Sequence, residues 1–223
     1  METITVKAMI LAAGRGERMR PLTDTTPKPL LKVGEHCLIE HHIFNLKKAG
    51  FAEIIINTAW LAEKIHTKLG DGSAYGVSIS YSDEGEALET GGGIKNALPL
   101  LGDDAFLVVN GDIWCDYNYK NLPPLENNFL AHLILVNNPA QHPDGDFSIK
   151  HGLLCNDTNE KKTYSGIGIY KPALFSQESG RFPLAPILKE QANNNAISAE
   201  FFGGLWLDIG TPERLEQLRN NIN

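Results

Sequence analysis

The 223-residue chain is 42% hydrophobic and 21% charged, enough to bury a full core in one domain. With 20 Lys+Arg against 27 Asp+Glu it is acidic, which excludes the broad basic face that nucleic acid requires. No apolar run approaches the roughly 20 residues that span a bilayer, and the three scattered cysteines, Cys37, Cys115 and Cys155, match no zinc or redox spacing. Residues 1–5 carry neither a basic stretch nor a long apolar run. A reduced cytoplasmic setting, with no membrane partner, is therefore expected.

In chain order, residues 6–12 form a near-continuous apolar run that stops at a glycine, the pattern of a short buried strand. The loop that follows, Leu11-Ala12-Ala13-Gly14-Arg15-Gly16-Glu17-Arg18-Met19-Arg20-Pro21-Leu22-Thr23, leads into Pro27-Lys28-Pro29-Leu30. Glycines after a strand let the backbone approach a ligand closely and expose amide N–H groups to an anion. Residues 15–32 hold five cations (Arg15, Arg18, Arg20, Lys28, Lys32) against Glu17 and Asp24, a local balance of +3 in a chain of net −7. That concentration suits a small phosphorylated ligand. Met19 stands where a dinucleotide fingerprint would place its third glycine, and no Gly-Lys-Ser/Thr follows, so neither hydride transfer nor P-loop chemistry is supported.

Leu38, Ile39, His42, Ile43 and Leu46 share a helical face that ends at Gly50, and further helices are expected over 61–69 and 94–101. These alternate with strand-like runs at 53–57, 77–81 and 105–110. The alternation predicts a doubly wound α/β fold with a mainly parallel sheet, whose ligands sit at the carboxyl ends of the strands. Leu88-Glu89-Thr90-Gly91-Gly92-Gly93 opens the third helix, either to wrap a ligand with bare backbone or with Thr90 as a simple cap. Asn110-Gly111-Asp112 ends the 105–110 run, where Asp112 is placed either to hold Mg2+ or to cap a turn.

From about residue 130 short β pieces dominate, at 130–136, 146–150, 152–155 and 164–170, and predict a small antiparallel extension for a second substrate. A helix over 184–194 follows. Asp208 then lies in a short apolar strand before a last helix with Thr211 at its N-cap, Pro212 at its first position and Glu213 behind it. His41 and His42 are neighbours on a helix, point in different directions and cannot share a metal. The chain reads as one domain, 1–223, with the cationic loop and the alternating strands and helices in about 6–130 and the short β pieces and Asp208 in about 131–210. Oligomeric state is not written in these patterns.

Together, Leu11, Ala12, Ala13, Gly14, Gly16, Arg18, Pro27-Lys28-Pro29, Gly111-Asp112 and Trp206-Leu207-Asp208-Ile209-Gly210-Thr211-Pro212-Glu213 resemble the sugar-1-phosphate nucleotidyltransferase family. The resemblance runs from Val6 to about Leu218. It implies a Rossmann-like α/β domain with an inserted sugar-binding portion, a nucleoside triphosphate and a sugar-1-phosphate as substrates, and Mg2+ as cofactor. It implies that Arg18, supported by Arg15, clamps the β- and γ-phosphates. Lys28 is expected near the α-phosphate, with Asp112 and Asp208 on the metal. Leu11, Ala12, Ala13, Gly14 and Gly16, with Glu84, Thr90 and Gly91, would enclose the base, and Asn110, Gly145, Asp146 and Gly166 would line the sugar side. Glu89-Thr90-Gly91-Gly92-Gly93 and Asn137-Asn138-Pro139 followed by Gly145-Asp146-Phe147 are similar to the N-acetylmuramate-1-phosphate uridylyltransferases of cell-wall recycling. Guanylyl transfer to mannose-1-phosphate and a non-catalytic regulatory subunit are the alternatives. One departure stands out. The Glu-Lys-Pro that many relatives use for the sugar phosphate is absent, and Glu160-Lys161-Lys162 is a poor substitute.

Overall fold

The structure, a computed structural model, describes residues 6–157 and 160–222, with the side chain of residue 222 left aside; residues 1–5, on which the N-terminal reading rests, lie outside it. The elements run β1 (Ala8–Leu11), α1 (Leu22–Thr25), β2 (Lys32–Val33), β3 (His36–Cys37), α2 (Leu38–Ala49), β4 (Glu53–Thr58), α3 (Ala62–Leu69), β5 (Ser78–Asp83), α4 (Glu89–Leu101), β6 (Phe106–Asn110) and β7 (Ile113–Cys115). There follow β8 (Ala131–Val136), β9 (Ser148–Lys150), β10 (Leu153–Cys155), β11 (Thr163–Tyr170), α5 (Leu184–Asn193), β12 (Ile197–Phe201), β13 (Trp206–Asp208) and α6 (Pro212–Ile222).

Nine strands form one sheet in the order β5-β4-β1-β6-β11-β8-β12-β10-β9. The expected parallel half is β5-β4-β1-β6, and within the nine only β10 and β11 run against the rest. The antiparallel pieces expected after residue 130 are β11 and the β9–β10 hairpin, and they continue the main sheet rather than forming a separate one. Two small antiparallel pairs, β2–β3 and β7–β13, stand outside it.

Alternation along β1 sets the layers. Ala8 and Ile10 point into a core shared with Ile39, Ile43 and Leu46 of α2 and Ile65 and Leu69 of α3, while Met9 points into a second core with Ile94, Ala97 and Leu101 of α4 and Leu184, Ile187 and Leu188 of α5. Each such buried aliphatic contributes about 1.5–3 kcal/mol relative to exposure. A third, smaller cluster joins Met19 of the opening loop to Leu31, Val33, Leu38, Ile209, Leu215 and Leu218. It draws β13 and α6 against the loop after β1, although the two lie at opposite ends of the chain.

The helices match their patterns closely. α2 ends at Gly50 in a left-handed conformation, as its sequence predicts. At the other end the Cys37 N–H donates to Glu40 Oε2 at 2.7 Å. Tyr75 Oη and Lys68 Nζ also reach that carboxylate, each at 2.9 Å. Thr211 caps α6, its Oγ1 accepting the Arg214 N–H at 3.4 Å. α4 differs. It begins at Glu89, so Gly91, Gly92 and Gly93 are helical and not a ligand-wrapping loop. A Cβ on Gly91 would strike the Phe182 ring, and one on Gly92 would lie 2.6 Å from the Gly180 carbonyl. These two glycines let the 180–182 segment pack directly on the helix.

Candidate active site

The register of the parallel strands fixes the floor of the site. Leu11 at the end of β1 lies level with Asn57 of β4 on one side and Asn110 of β6 on the other. Past this line the chain must turn away, leaving backbone amides unpaired. Buried Asn57 takes up one of them: its Oδ1 accepts the Ala12 N–H at 2.8 Å. Its Nδ2 donates to Glu84 Oε1 at 2.6 Å, and Glu84 Oε2 accepts the Leu88 N–H at 2.8 Å. One buried amide and one carboxylate thus tie together the loop after β1, the loop after β5 and the entry to α4. A Cβ on Gly93 would intrude on this pair, 2.5 Å from Glu84 Oε1.

Gly16 adopts φ 67°, and its carbonyl accepts from Thr23 Oγ1 at 2.8 Å and from Met19 N at 2.9 Å, so the loop folds back on itself. Trp60 braces it by donating Nε1–H to the Thr23 carbonyl at 3.0 Å. The five cations then separate. Arg20 pairs with Asp24 at 2.7 Å, Lys32 is exposed on β2, and Arg15 lies over the Trp60 ring at 4.2 Å with Glu17 at 3.6 Å. Arg18 has no hydrogen-bond or ion-pair partner among the described residues. Lys28, only 7% exposed, donates to Asp112 Oδ2 at 2.7 Å.

Above this floor opens a cavity of about 380 Å³. Of the residues singled out from sequence, Leu11, Ala12, Ala13, Gly14, Gly16, Arg18, Lys28, Glu84, Thr90, Asn110 and Asp112 line it. Asn57, Glu17, Ala87 and Gly210 line it as well. Arg15 is not on the wall, and neither is Gly91 inside α4. Asp208 stands just behind the wall: it ends β13, pairs in register with Ile113, and precedes Ile209, whose N–H donates to the Asp112 carbonyl at 2.9 Å. The β7–β13 pair therefore brings the backbones of the two aspartates to neighbouring positions. Asp208 Oδ2 accepts from Arg214 Nη1 at 2.6 Å.

The sugar-side expectations divide. Gly166 has φ 83° and abuts Asn110, whose amide would lie 2.6 Å from a Cβ there. The Asn110 Oδ1 is buried without a hydrogen-bond partner among the described residues, an acceptor at the cavity edge. Gly145 and Asp146 do not reach the cavity. Asp146 fastens its own loop, accepting Tyr164 N–H at 2.9 Å and facing His142 Nε2 at 3.0 Å. Lys162 lies over the Phe201 ring at 5.0 Å, donates to Asn137 Oδ1 at 3.1 Å and does not line the cavity. Among the histidines, His42 is pushed down to about 4 by burial, against the pull of nearby Asp112, and is a neutral core ring. Burial also pushes the Cys37 and Cys115 thiols up, to about 11 and about 12, which leaves them inert.

The family model for nucleotidyl transferases matches residues 7–128, more than half of the chain and every residue that lines the cavity except Gly210. The chain belongs to the sugar-1-phosphate nucleotidyltransferase family. It is 52% identical to N-acetylmuramate alpha-1-phosphate uridylyltransferase of Neisseria meningitidis serogroup B, over 95% of this chain and 96% of that one. It is 32% identical to mannose-1-phosphate guanyltransferase of Candida albicans, but spans only 62% of that protein. In fold it superposes with TM-score 0.84, at 22% identity, on a putative glucose-1-phosphate thymidylyltransferase from Bacillus anthracis in complex with a sucrose, covering 97% of this chain and 94% of that one.

Sequence reasoning missed Asn57, Trp60 and Arg214 in this site. Asn57 had a legible signal, a polar residue closing an otherwise apolar strand at its carboxyl end. Arg214 had a subtler one, a cation in the first turn of a helix, where the dipole opposes it.

Proposed function

We propose that this nucleotidyltransferase moves a uridylyl group from UTP to N-acetylmuramate 1-phosphate, releasing pyrophosphate, and so returns cell-wall muramic acid to nucleotide-sugar form. The observation that carries the reading is one cavity at the carboxyl ends of β1 and β6 that gathers Arg18, Lys28 and Asp112, with Asp208 beside it. The likeness in identity and length to the Neisseria uridylyltransferase favours this substrate pair over mannose-1-phosphate and GTP. Retention of all four charged groups favours an enzyme over a regulatory subunit.

In this reading the sugar-phosphate oxygen attacks the α-phosphorus in line with the departing pyrophosphate. Such a transfer asks the protein for positioning and charge compensation rather than covalent help. Arg18, unpaired and facing the cavity, would hold the β- and γ-phosphates, since a guanidinium binds phosphate with two donors. Lys28 has three N–H donors, so it can keep Asp112 and still reach the α-phosphate. Asp112 and Asp208 fit a hard divalent cation: they offer oxygen donors only, one oxygen of each is free of hydrogen bonds among the described residues, and Mg2+ commonly takes one or two protein carboxylates with substrate phosphates. Mg2+ held there would neutralise phosphoryl charge. Ala12, Glu84, Ala87 and Thr90 would frame the base, and Asn110 with Gly166 behind it would meet the sugar. Residues from about 6 to 130 would then serve the nucleotide and those from about 131 to 210 the sugar.

The test is pyrophosphate release with UTP or GTP, each crossed with N-acetylmuramate 1-phosphate, mannose-1-phosphate and glucose-1-phosphate. UTP with N-acetylmuramate 1-phosphate is expected to be fastest. Faster turnover with GTP and mannose-1-phosphate would reject the substrate assignment, and no release with any pair would reject the enzyme.

A further inference from the structure

Arg214 stands where a cation is unwelcome. It occupies the first turn of α6, whose N-terminal end carries partial positive charge, and only 17% of its side chain is exposed. What offsets this is Asp208, whose Oδ2 accepts from Arg214 Nη1 at 2.6 Å. The neighbouring Gly210 shows how the group is arranged. A Cβ on that glycine would lie 2.6 Å from Arg214 Nη2, 3.0 Å from Arg18 Nη2 and 3.0 Å from Asp208 Oδ1. The two oxygens of Asp208 therefore have different surroundings. Oδ2 is taken by the guanidinium, while Oδ1 is turned toward Gly210, which lines the cavity. Asp112 repeats the arrangement, with Oδ2 taken by Lys28 Nζ at 2.7 Å and Oδ1 without a hydrogen-bond partner among the described residues.

We propose that Arg214 is a positioning residue that limits Asp208 to coordination through one oxygen and thereby selects Mg2+ over Ca2+. The proposal rests on the reading that Asp112 and Asp208 hold the metal. Mg2+ requires a near-octahedral shell at short distance, which single carboxylate oxygens and phosphates satisfy. Ca2+ takes more oxygens at longer distance and readily uses both oxygens of one carboxylate. With Oδ2 of each aspartate already engaged by a cation of the chain, chelation through both oxygens would have to displace or share that bond, which disfavours it. The site then lacks the donor count that Ca2+ prefers.

The experiment is competition of Mg2+ and of Ca2+ against bound Mn2+, followed by electron paramagnetic resonance on the protein without nucleotide. It compares the unaltered chain with Arg214→Ala, Arg214→Lys, Asp112→Asn and Asp208→Asn. Arg214→Ala frees Oδ2 and is expected to shift the Ca2+/Mg2+ affinity ratio toward Ca2+ by about tenfold or more, the scale of effect seen for groups that orient metal ligands. Arg214→Lys keeps one donor on the carboxylate, tolerates folding best, and should fall between. In pyrophosphate-release assays, Ca2+ should inhibit Arg214→Ala at lower concentration than the unaltered enzyme. An unchanged ratio in both Arg214 variants, with metal still bound, overturns the role of Arg214 and leaves the metal reading standing. Unaltered Mn2+ binding in Asp112→Asn and Asp208→Asn overturns the metal reading and the proposal together.

Discussion

At the scale of single residues, a few charged groups face the cavity and others hold the backbone around them. Arg18→Ala and Lys28→Ala remove charge aimed at the phosphates, and each is expected to lower kcat by about 10²-fold or more while thermal stability stays near that of the parent. Turnover within a few-fold of the parent would remove that residue from the chemistry. Asn57→Leu acts differently. It strands the Ala12 N–H and one oxygen of Glu84, so it should cost about 1–3 kcal/mol of stability and raise the KM for nucleotide more than it lowers kcat, as read by denaturant unfolding and initial rates. The contrast explains what was legible. Arg18 and Lys28 announce themselves by charge concentrated in the loop after β1, and Asp112 by charge just past the end of β6. Asn57 shows itself as a polar residue near the end of an apolar strand, but the backbone amide it satisfies is brought to it by sheet register, which is not visible in a linear pattern.

At the scale of elements, α2 and α4 show what patterns give and omit. The apolar face and terminal glycine of α2 fix it from sequence, but the acid at its first turn is buried with three neighbours. Burial alone would raise the Glu40 carboxyl. Hydrogen bonds from the Cys37 N–H, Lys68 and Tyr75 outweigh it and hold the group down to about 2. The unfolded chain takes up this proton near pH 4.5 and the folded chain only near 2, so the stabilisation is full above about 4.5 and is lost as pH falls toward 2. Glu40→Gln should flatten the dependence of melting temperature on pH within that window and leave its slope above pH 6 unchanged. In α4, helix propensity says that Gly92→Ala should add about 1 kcal/mol. Packing says otherwise, because the new Cβ would meet the Gly180 carbonyl, a backbone atom that cannot swing away. A lower melting temperature is expected, and a higher one would show that the 180–182 segment yields. Three glycines in a row looked like a ligand loop because chain neighbours alone cannot reveal what packs across a helix.

At the scale of the molecule, alternation of strand and helix made the parallel half of the sheet legible, and the carboxyl-end rule placed its cavity. The far half was less so. β12 alternates apolar Ile197, Ala199 and Phe201 with polar Ser198 and Glu200, a short period-2 signal, but that signal does not name its neighbour: it joins β8 in parallel and extends the same sheet. The distance in sequence between the phosphate loop and Asp208 hid the cluster that unites them. Leu215 and Leu218 are fully buried against Met19 and Ile209. Leu215→Ala should cost about 2–5 kcal/mol. Because that cluster seats Asp208 beside Asp112, activity should fall at temperatures where circular dichroism still reports a folded sheet. Activity and ellipticity lost together would mean that the cluster serves general stability only.

The seam between Met19 and Ile209 also has a meaning in time. A ribosome releases the phosphate loop and the parallel strands first, and domains fold as the chain emerges. Asp208 and Gly210 belong to a much later part of the chain, and the contacts of that part with the loop are among the most non-local of the described residues. A growing chain therefore displays Arg18 and Lys28 long before it carries both Asp112 and Asp208. In the function proposed above, the two halves of the site meet only once α6 has packed over the loop after β1.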